Sequence, residues 1–146
     1  MVRTNKNGIK IYGEEDFAGM RKAGQVAAQC LDYIADYVKV GVSTGELDDL
    51  CNEFMKSKGA VSACIGYHGY PKATCISINQ VICHGIPDYE RKLADGDILN
   101  IDVTAIVDGY FGDTSRMYFA GKPKIKGKRL CDVTYECMMR GIDVVK

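Results

Sequence analysis

The sequence carries no excess of charge. Nineteen Lys and Arg residues balance nineteen Asp and Glu residues over 146 positions, which argues against nucleic-acid binding as the main role, because such binding needs a basic footprint. No apolar run is long enough to span a membrane, and the N-terminal stretch Met1-Val2-Arg3-Thr4-Asn5-Lys6-Asn7 is too polar for a secretory signal. The seven cysteines (Cys30, Cys51, Cys64, Cys75, Cys83, Cys131 and Cys137) are an odd number without close Cys-x-x-Cys spacing, so neither a zinc knuckle nor a redox motif is indicated. Several fall in apolar runs, and most are expected to be reduced and buried. The expectation is a cytoplasmic protein with neither a nucleic-acid nor a membrane partner. Histidine is limited to two residues, tryptophan is absent, and there is no low-complexity segment or internal repeat. The rest is ordinary for a globular chain, 47% hydrophobic and 26% charged. Its length suits a single domain over residues 1–146, which would bury roughly two-thirds of its unfolded surface.

Periodicity predicts two helices first. Met20, Ala23, Ala27, Leu31, Ile34 and Val38 recur at spacings of three and four, which lines one face of a helix over about 14–40 ending near Gly41. Ser43-Thr44-Gly45-Glu46 has the form of a capping box and opens a second helix over about 44–58. Its apolar face is Leu47, Leu50, Cys51, Phe54 and Met55, with Gly59 as the stop. A loop rich in Gly and aromatics, Gly66-Tyr67-His68-Gly69-Tyr70, follows, and strand-like runs come next at about 74–83. Asp88 to Asp97 is a charged surface connection, and Gly121 to Lys128 is a basic loop, read as a solvated turn. A third helix is expected from about 128, with Leu130, Val133, Cys137, Met138 and Ile142 on its apolar side and its pattern still running at Lys146. The order of elements suggests an α+β unit with helices on one face of an antiparallel sheet.

Residues 97–119 read as a β-hairpin turning at Asp108-Gly109, a dipeptide suited to a type I′ turn because both central residues need positive φ. That turn pairs Val107 with Tyr110, Ile106 with Phe111 and Thr104 with Asp113. Strand alternation then sets Asp102, Thr104 and Asp113 on one face, with the two carboxylates diagonal neighbours whose Cβ atoms are roughly 7 Å apart or less. Two like charges so close among apolar residues repel and lose hydration, which raises one pKa unless a cation lies between them. A divalent ion is one solution; two solvated carboxylates on an outer sheet face are the other. His84, beside Gly85 after an apolar run, can reach a cleft, and His68 sits in the Gly-Tyr loop, although either ring more often satisfies a local hydrogen bond. Two Asp side chains are fewer donors than the three or more protein ligands a divalent ion normally takes.

Three stretches together resemble type I methionine aminopeptidases of the short bacterial kind: Gly66-Tyr67-His68-Gly69-Tyr70-Pro71-Lys72, then Cys75 through Pro87, then Asp97 through Val103 with Gly112-Asp113-Thr114-Ser115. The likeness extends over both N-terminal helices. It implies the duplicated pita-bread (creatinase/aminopeptidase-like) fold, here the first half plus the start of the second. It further implies Asp102 as a chelating metal ligand and Asp113 as a carboxylate bridging two divalent ions (Co, Mn, Fe or Zn). His84 resembles the histidine that contacts the scissile region and steadies the transition state. Cys64, Tyr67, His68, Tyr70 and Cys75, with His84, resemble the binding site for an N-terminal methionine, whose flexible thioether suits sulfur and aromatic walls. Asn79 and Val81 resemble positions whose carbonyls hold a monovalent cation.

The implied activity is metal-dependent removal of the N-terminal methionine from nascent polypeptides, close to the ribosome. The resemblance also implies further ligands, one His and two Glu, and a Trp in the pocket wall, from a second half of the domain. The 146-residue chain is therefore expected to be inactive alone and to self-associate through surface that this second half would cover. Two other readings share the architecture. One is a non-catalytic peptide- or partner-binding module; the other is a metallopeptidase cutting next to proline, whose pocket should resemble this one less fully.

Overall fold

A computed structural model describes residues 3–145; Met1 and Val2 of the polar N-terminal stretch, and Lys146, where the third helix was expected to be still running, lie outside the described residues. Its elements in order are α1 (Glu14–Ile34), α2 (Thr44–Ser57), β1 (Val61–Ser62), β2 (Cys75–Ile78), β3 (Ile98–Val107), β4 (Tyr110–Phe119) and α3 (Ile125–Asp143). The sheet is antiparallel: β1 and β2 lie in succession along one edge of β3, and β4 pairs along the other.

The hairpin forms as its turn chemistry predicts. Asp108 and Gly109 take φ of 51° and 82°, and the register is Val107 with Tyr110, Ile106 with Phe111 and Thr104 with Asp113. Along β3 the odd positions Leu99, Ile101, Val103, Ala105 and Val107 are buried while the even positions are half-buried. The odd set packs beneath α1 and α2, with Ala23, Ala27, Leu31, Ile34, Leu47, Cys51 and Met55. The even set, including Asp102 and Thr104, is left for the opposite face. Across the packed layer the Tyr118 hydroxyl donates to the Leu31 carbonyl at 2.6 Å. Gly112 brings β4 against the α1 backbone so closely that a Cβ there would lie 2.3 Å from Ala23 C and Gly24 N.

Several elements depart from the sequence reading. The first helix ends at Ile34 and tightens into a 3₁₀ turn over Ala35–Tyr37, while Val38 is extended. Past that turn the chain is pinned by the Gly41 N–H on the Leu93 carbonyl at 2.8 Å, which draws it off the helix axis. The buried stripe of α1 also includes Val26 and Cys30, and Met20 is only half-buried. Ser43 and Glu46 do form the expected capping box over α2.

The strand run ends at Ile78 rather than Cys83. Asn79 takes φ of 52° and the Val81 N–H turns back to the Ile78 carbonyl, leaving Ile82 94% exposed. The third helix starts earlier, at Ile125, and none of its residues is buried among the described residues. Its apolar side is formed as a stripe and stays largely exposed, Leu130 by 62% and Ile142 by 54%. The cysteines are all free, yet only Cys30, Cys51 and Cys75 are buried, while Cys83 and Cys137 are exposed. The expectation that most are buried is corrected accordingly. Apolar neighbours in sequence do not bury a thiol when the run itself, as at Val81-Ile82-Cys83, lies in an open turn.

Candidate functional site

The sheet face away from the helices forms one wall of a cleft of about 670 Å³. It is lined by Cys64, Tyr67, His68, Tyr70, Cys75, His84, Asp102 and Asp113, together with Ala63, Gly69, Pro71, Ile86, Thr104 and Phe111. Every residue that the sequence reading placed at a metal, catalytic or methionine-binding position is therefore in one cavity. Asn79 and Val81 are not among its lining residues. The Asn79 side chain instead donates to Asp97 Oδ1 at 2.7 Å and accepts from the Ile98 N–H at 3.2 Å, closing the entrance to β3.

Several segments build the cleft. β3 and β4 supply the carboxylates: Asp102 is half-buried opposite Ser115, and Asp113, opposite Thr104, is exposed one step along the diagonal. Burial pushes the Asp102 carboxyl up from the ordinary carboxylate range, the neighbouring Asp113 charge adds to the rise, and His84 opposes it. This is the mutual perturbation expected of two like charges sharing a partly desolvated face. It is what a bound cation relieves, and carboxylate oxygens are suitable donors for divalent ions such as Mn²⁺. Two donors are a partial set. Among the described residues, no group of three or more His, Cys, Asp or Glu side chains converges on one point.

The segment after β2 places His84. Its φ of 54° turns the chain so that Gly85 lies on β2, where the Ile76 N–H donates to the Gly85 carbonyl at 2.8 Å and the Gly85 N–H to Ser77 Oγ at 3.1 Å. A Cβ at Gly85 would sit 2.2 Å from the Ile76 carbonyl oxygen, so only glycine allows this approach.

Loop 65–74 forms the third wall. Tyr67–Gly69 is a single 3₁₀ turn in which His68 adopts a left-handed conformation (φ 46°, ψ 32°) and meets the Tyr67 ring edge-on at 4.5 Å. A non-glycine residue there stores about 1 to 3 kcal/mol of strain, which neighbouring contacts must hold. They do so from two sides. The Tyr70 hydroxyl bonds to the Thr74 and Gly85 carbonyls at 2.9 and 3.2 Å. Asp48, a buried carboxylate on α2, accepts from the Thr74 N–H and hydroxyl, both at 2.7 Å, and from the Ala73 N–H at 3.3 Å.

Asp48→Ala should therefore lower stability by about 2 kcal/mol, since it strands buried donors. Thermal unfolding checks this against Asp49→Ala, whose exposed partner is Tyr89 and whose effect should stay within about 0.5 kcal/mol.

The sequence reading set Thr104 on the carboxylate face and missed Phe111 in the lining. The alternation that placed Asp113 would have found it, because Phe111 lies two positions away on the same face. It also missed Asp48, for which the helical pattern offers no signal: an Asp between apolar positions of α2 reads as solvated.

Known proteins resemble this chain in sequence and shape. The model for metallopeptidase family M24 matches residues 18–146. The methionine aminopeptidase of Escherichia coli (strain K12) is 57% identical over 139 residues, covering 94% of this chain and 53% of that protein. The crystal structure of methionine aminopeptidase from Rickettsia prowazekii superposes with a TM-score of 0.91 at 51% identity, over 100% of this chain and 56% of that one. X-Pro aminopeptidase from Thermotoga maritima MSB8 shares the fold with a TM-score of 0.79 at 18% identity, over 93% of this chain and 37% of that one. The architecture is thus the pita-bread fold, mixing helices with antiparallel sheet, and the chain spans about half the length of the curated relatives it matches.

Proposed function

The chain belongs to metallopeptidase family M24, and we propose that it supplies the first half of a methionine aminopeptidase site, removing the N-terminal methionine of nascent polypeptides by metal-dependent hydrolysis. One observation carries this reading. The perturbed carboxylate pair, Asp102 and Asp113, shares a single cleft with a wall of sulfur and aromatic side chains. A binding module gains nothing from paired carboxylates that repel each other; a metal centre needs them.

Asp102 and Asp113 would hold divalent ions, Co, Mn, Fe or Zn, which supply Lewis-acid polarisation of the scissile carbonyl and an activated water. Cys64, Tyr67, His68, Tyr70 and Cys75 bind the methionine side chain, offering soft, polarisable contacts to its thioether. His84, on the same cleft, donates a hydrogen bond to the scissile amide and steadies charge that develops there. The carbonyls of Asn79 and Val81, in the turn after β2, would hold a structural monovalent cation.

Two carboxylates do not complete such a centre. The 146-residue chain alone is inactive in this reading, and its uncovered apolar surfaces, such as that of α3, lead it to self-associate. In the cell it works in the cytoplasm, near the ribosome where nascent N-termini emerge.

The test joins this chain to the second half of the Escherichia coli relative and assays a Met-Ala-type peptide with added Co²⁺ or Mn²⁺. The fusion should release methionine, and the 146-residue chain should not exceed the metal blank. A folded, metal-loaded fusion without turnover would sink the aminopeptidase reading. Robust turnover by the chain alone would sink only the claim of inactivity.

A further inference from the structure

Cys64 and Cys75 stand at the two ends of loop 65–74, and the sheet brings those ends together. Ser62 pairs with Ala105, the Ala63 N–H donates to the Thr104 carbonyl at 2.9 Å, and Cys75 pairs with Asp102. The two segments thus meet end to end along one edge of β3, the first leaving it where the second arrives. The neck of the loop is already tied: the Ser62 hydroxyl donates to the Ala73 carbonyl at 2.6 Å. Two residues on from each partner of that bond come Cys64 and Cys75. Both line the cleft, and the register sets them side by side along that edge of β3. Cys64 is half-buried and open to solvent through the cleft, whereas Cys30 and Cys51, the other neighbouring pair, are both fully buried in the core.

We propose that Cys64 and Cys75 are a modification site, a dithiol that a peroxide oxidises to an intramolecular disulfide closing the neck of loop 65–74. The Cys64 sulfur attacks a peroxide oxygen, the O–O bond breaks, and the thiol proton leaves with the departing oxygen as water, giving a sulfenic acid. The Cys75 sulfur then attacks the Cys64 sulfur, the S–O bond breaks, and a second water leaves with the Cys75 proton. Two thiols and one hydrogen peroxide become one disulfide and two waters. Burial raises both thiols above their ordinary range, so the reaction is slow in bulk terms, and the preformed neck supplies the selectivity. The bond consumes both sulfurs of the cleft wall and fixes the segment that carries Tyr67, His68 and Tyr70. The inference does not depend on which reaction the cleft performs.

The test uses the full 146-residue chain with the exposed Cys83 and Cys137 replaced by Ser, treated with stoichiometric hydrogen peroxide and digested with trypsin without reduction. Lys72 lies between the two cysteines, so cleavage there leaves two peptides joined only by the new bond. Mass spectrometry should find that joined pair, lighter by two hydrogens than the sum of its parts and separated by a dithiol reductant. Cys30 and Cys51 should stay alkylatable once the protein is denatured. Cys75→Ala should remove the cross-link and leave Cys64 trapped as its sulfenic or sulfinic acid. The proposal is overturned by separate, unlinked peptides from chain that circular dichroism reports as folded. It is equally overturned by cross-linking to Cys30, Cys51 or Cys131 in comparable yield, or by the same Cys64–Cys75 yield in denaturant as in the fold.

Discussion

Replacing Asp102 by Asn should abolish calorimetrically detectable binding of Mn²⁺ or Co²⁺, and Asp113→Asn should do the same, because each removes one of only two anionic donors in the cleft. With a single carboxylate left, the remaining site is a neutral amide beside one charge, and divalent ions gain little there over their hydration shells. Binding by the unmodified chain should also appear as thermal stabilisation: an ion present at about 100 times its dissociation constant adds about 2.7 kcal/mol. Neither variant should show that metal-dependent rise. Unchanged affinity in both variants would move the metal centre away from the hairpin.

The same pair makes an opposite prediction without metal. The Asp102 carboxyl is raised in the fold, first by burial and then by Asp113, so between its unfolded and folded values the native state binds more protons than the unfolded one. Its contribution to stability is full below the unfolded value and is lost as pH rises through the folded value. At neutral pH the ionised form is a local penalty that the rest of the fold bears. Asp102→Asn, neutral at every pH, should raise the metal-free melting temperature at pH 7 relative to the unmodified chain, and the difference should vanish on acidification. Loss of metal binding together with a gain in metal-free stability separates a functional strain from mere damage to the fold.

The hairpin was legible because its information is local. Asp108-Gly109 dictates a two-residue turn, the turn dictates the register, and the register dictates which carboxylates share a face. The capping box at Ser43 and Glu46 is readable for the same reason. Elsewhere the deciding contacts are distant in sequence. The left-handed conformations of His68, Asn79 and His84 are imposed by bonds from Tyr70, Asp97 and β2, which no window around those residues reveals. Asp48 is anchored to Ala73 and Thr74, far along the chain. Val81-Ile82-Cys83 looks like a strand by hydropathy and is a turn, because β3 has already used that edge to pair with β2. In α3 periodicity formed the helix correctly, but what would cover its apolar stripe is not among the residues described.

Gly112→Ala should be among the most damaging small substitutions in the chain. The added methyl would lie 2.3 to 2.4 Å from the Ala23 carbon and oxygen and the Gly24 nitrogen, and these are backbone atoms that cannot rotate aside. Either β4 must lift from α1, uncovering Tyr118 and the core beneath it, or α1 must shift over its whole contact with the sheet. Overpacking of this kind costs about 3 kcal/mol or more when backbone must move. For a chain of this length that corresponds to a fall of roughly 6 to 12 °C in melting temperature. Gly24→Ala is the control: it lies in α1 next to the contact, but its Cβ would meet nothing within 4 Å, so helix propensity should make it neutral or stabilising. Because Asp113 follows Gly112 directly, lifting β4 also displaces one of the two carboxylates proposed to hold metal. Divalent-ion affinity in Gly112→Ala should therefore fall even at temperatures where the variant is fully folded, while Gly24→Ala leaves it unchanged. Equal ion affinities in the two folded variants would mean that the closeness of β4 to α1 serves stability alone, and that Asp113 is placed by its own strand pairing with Thr104.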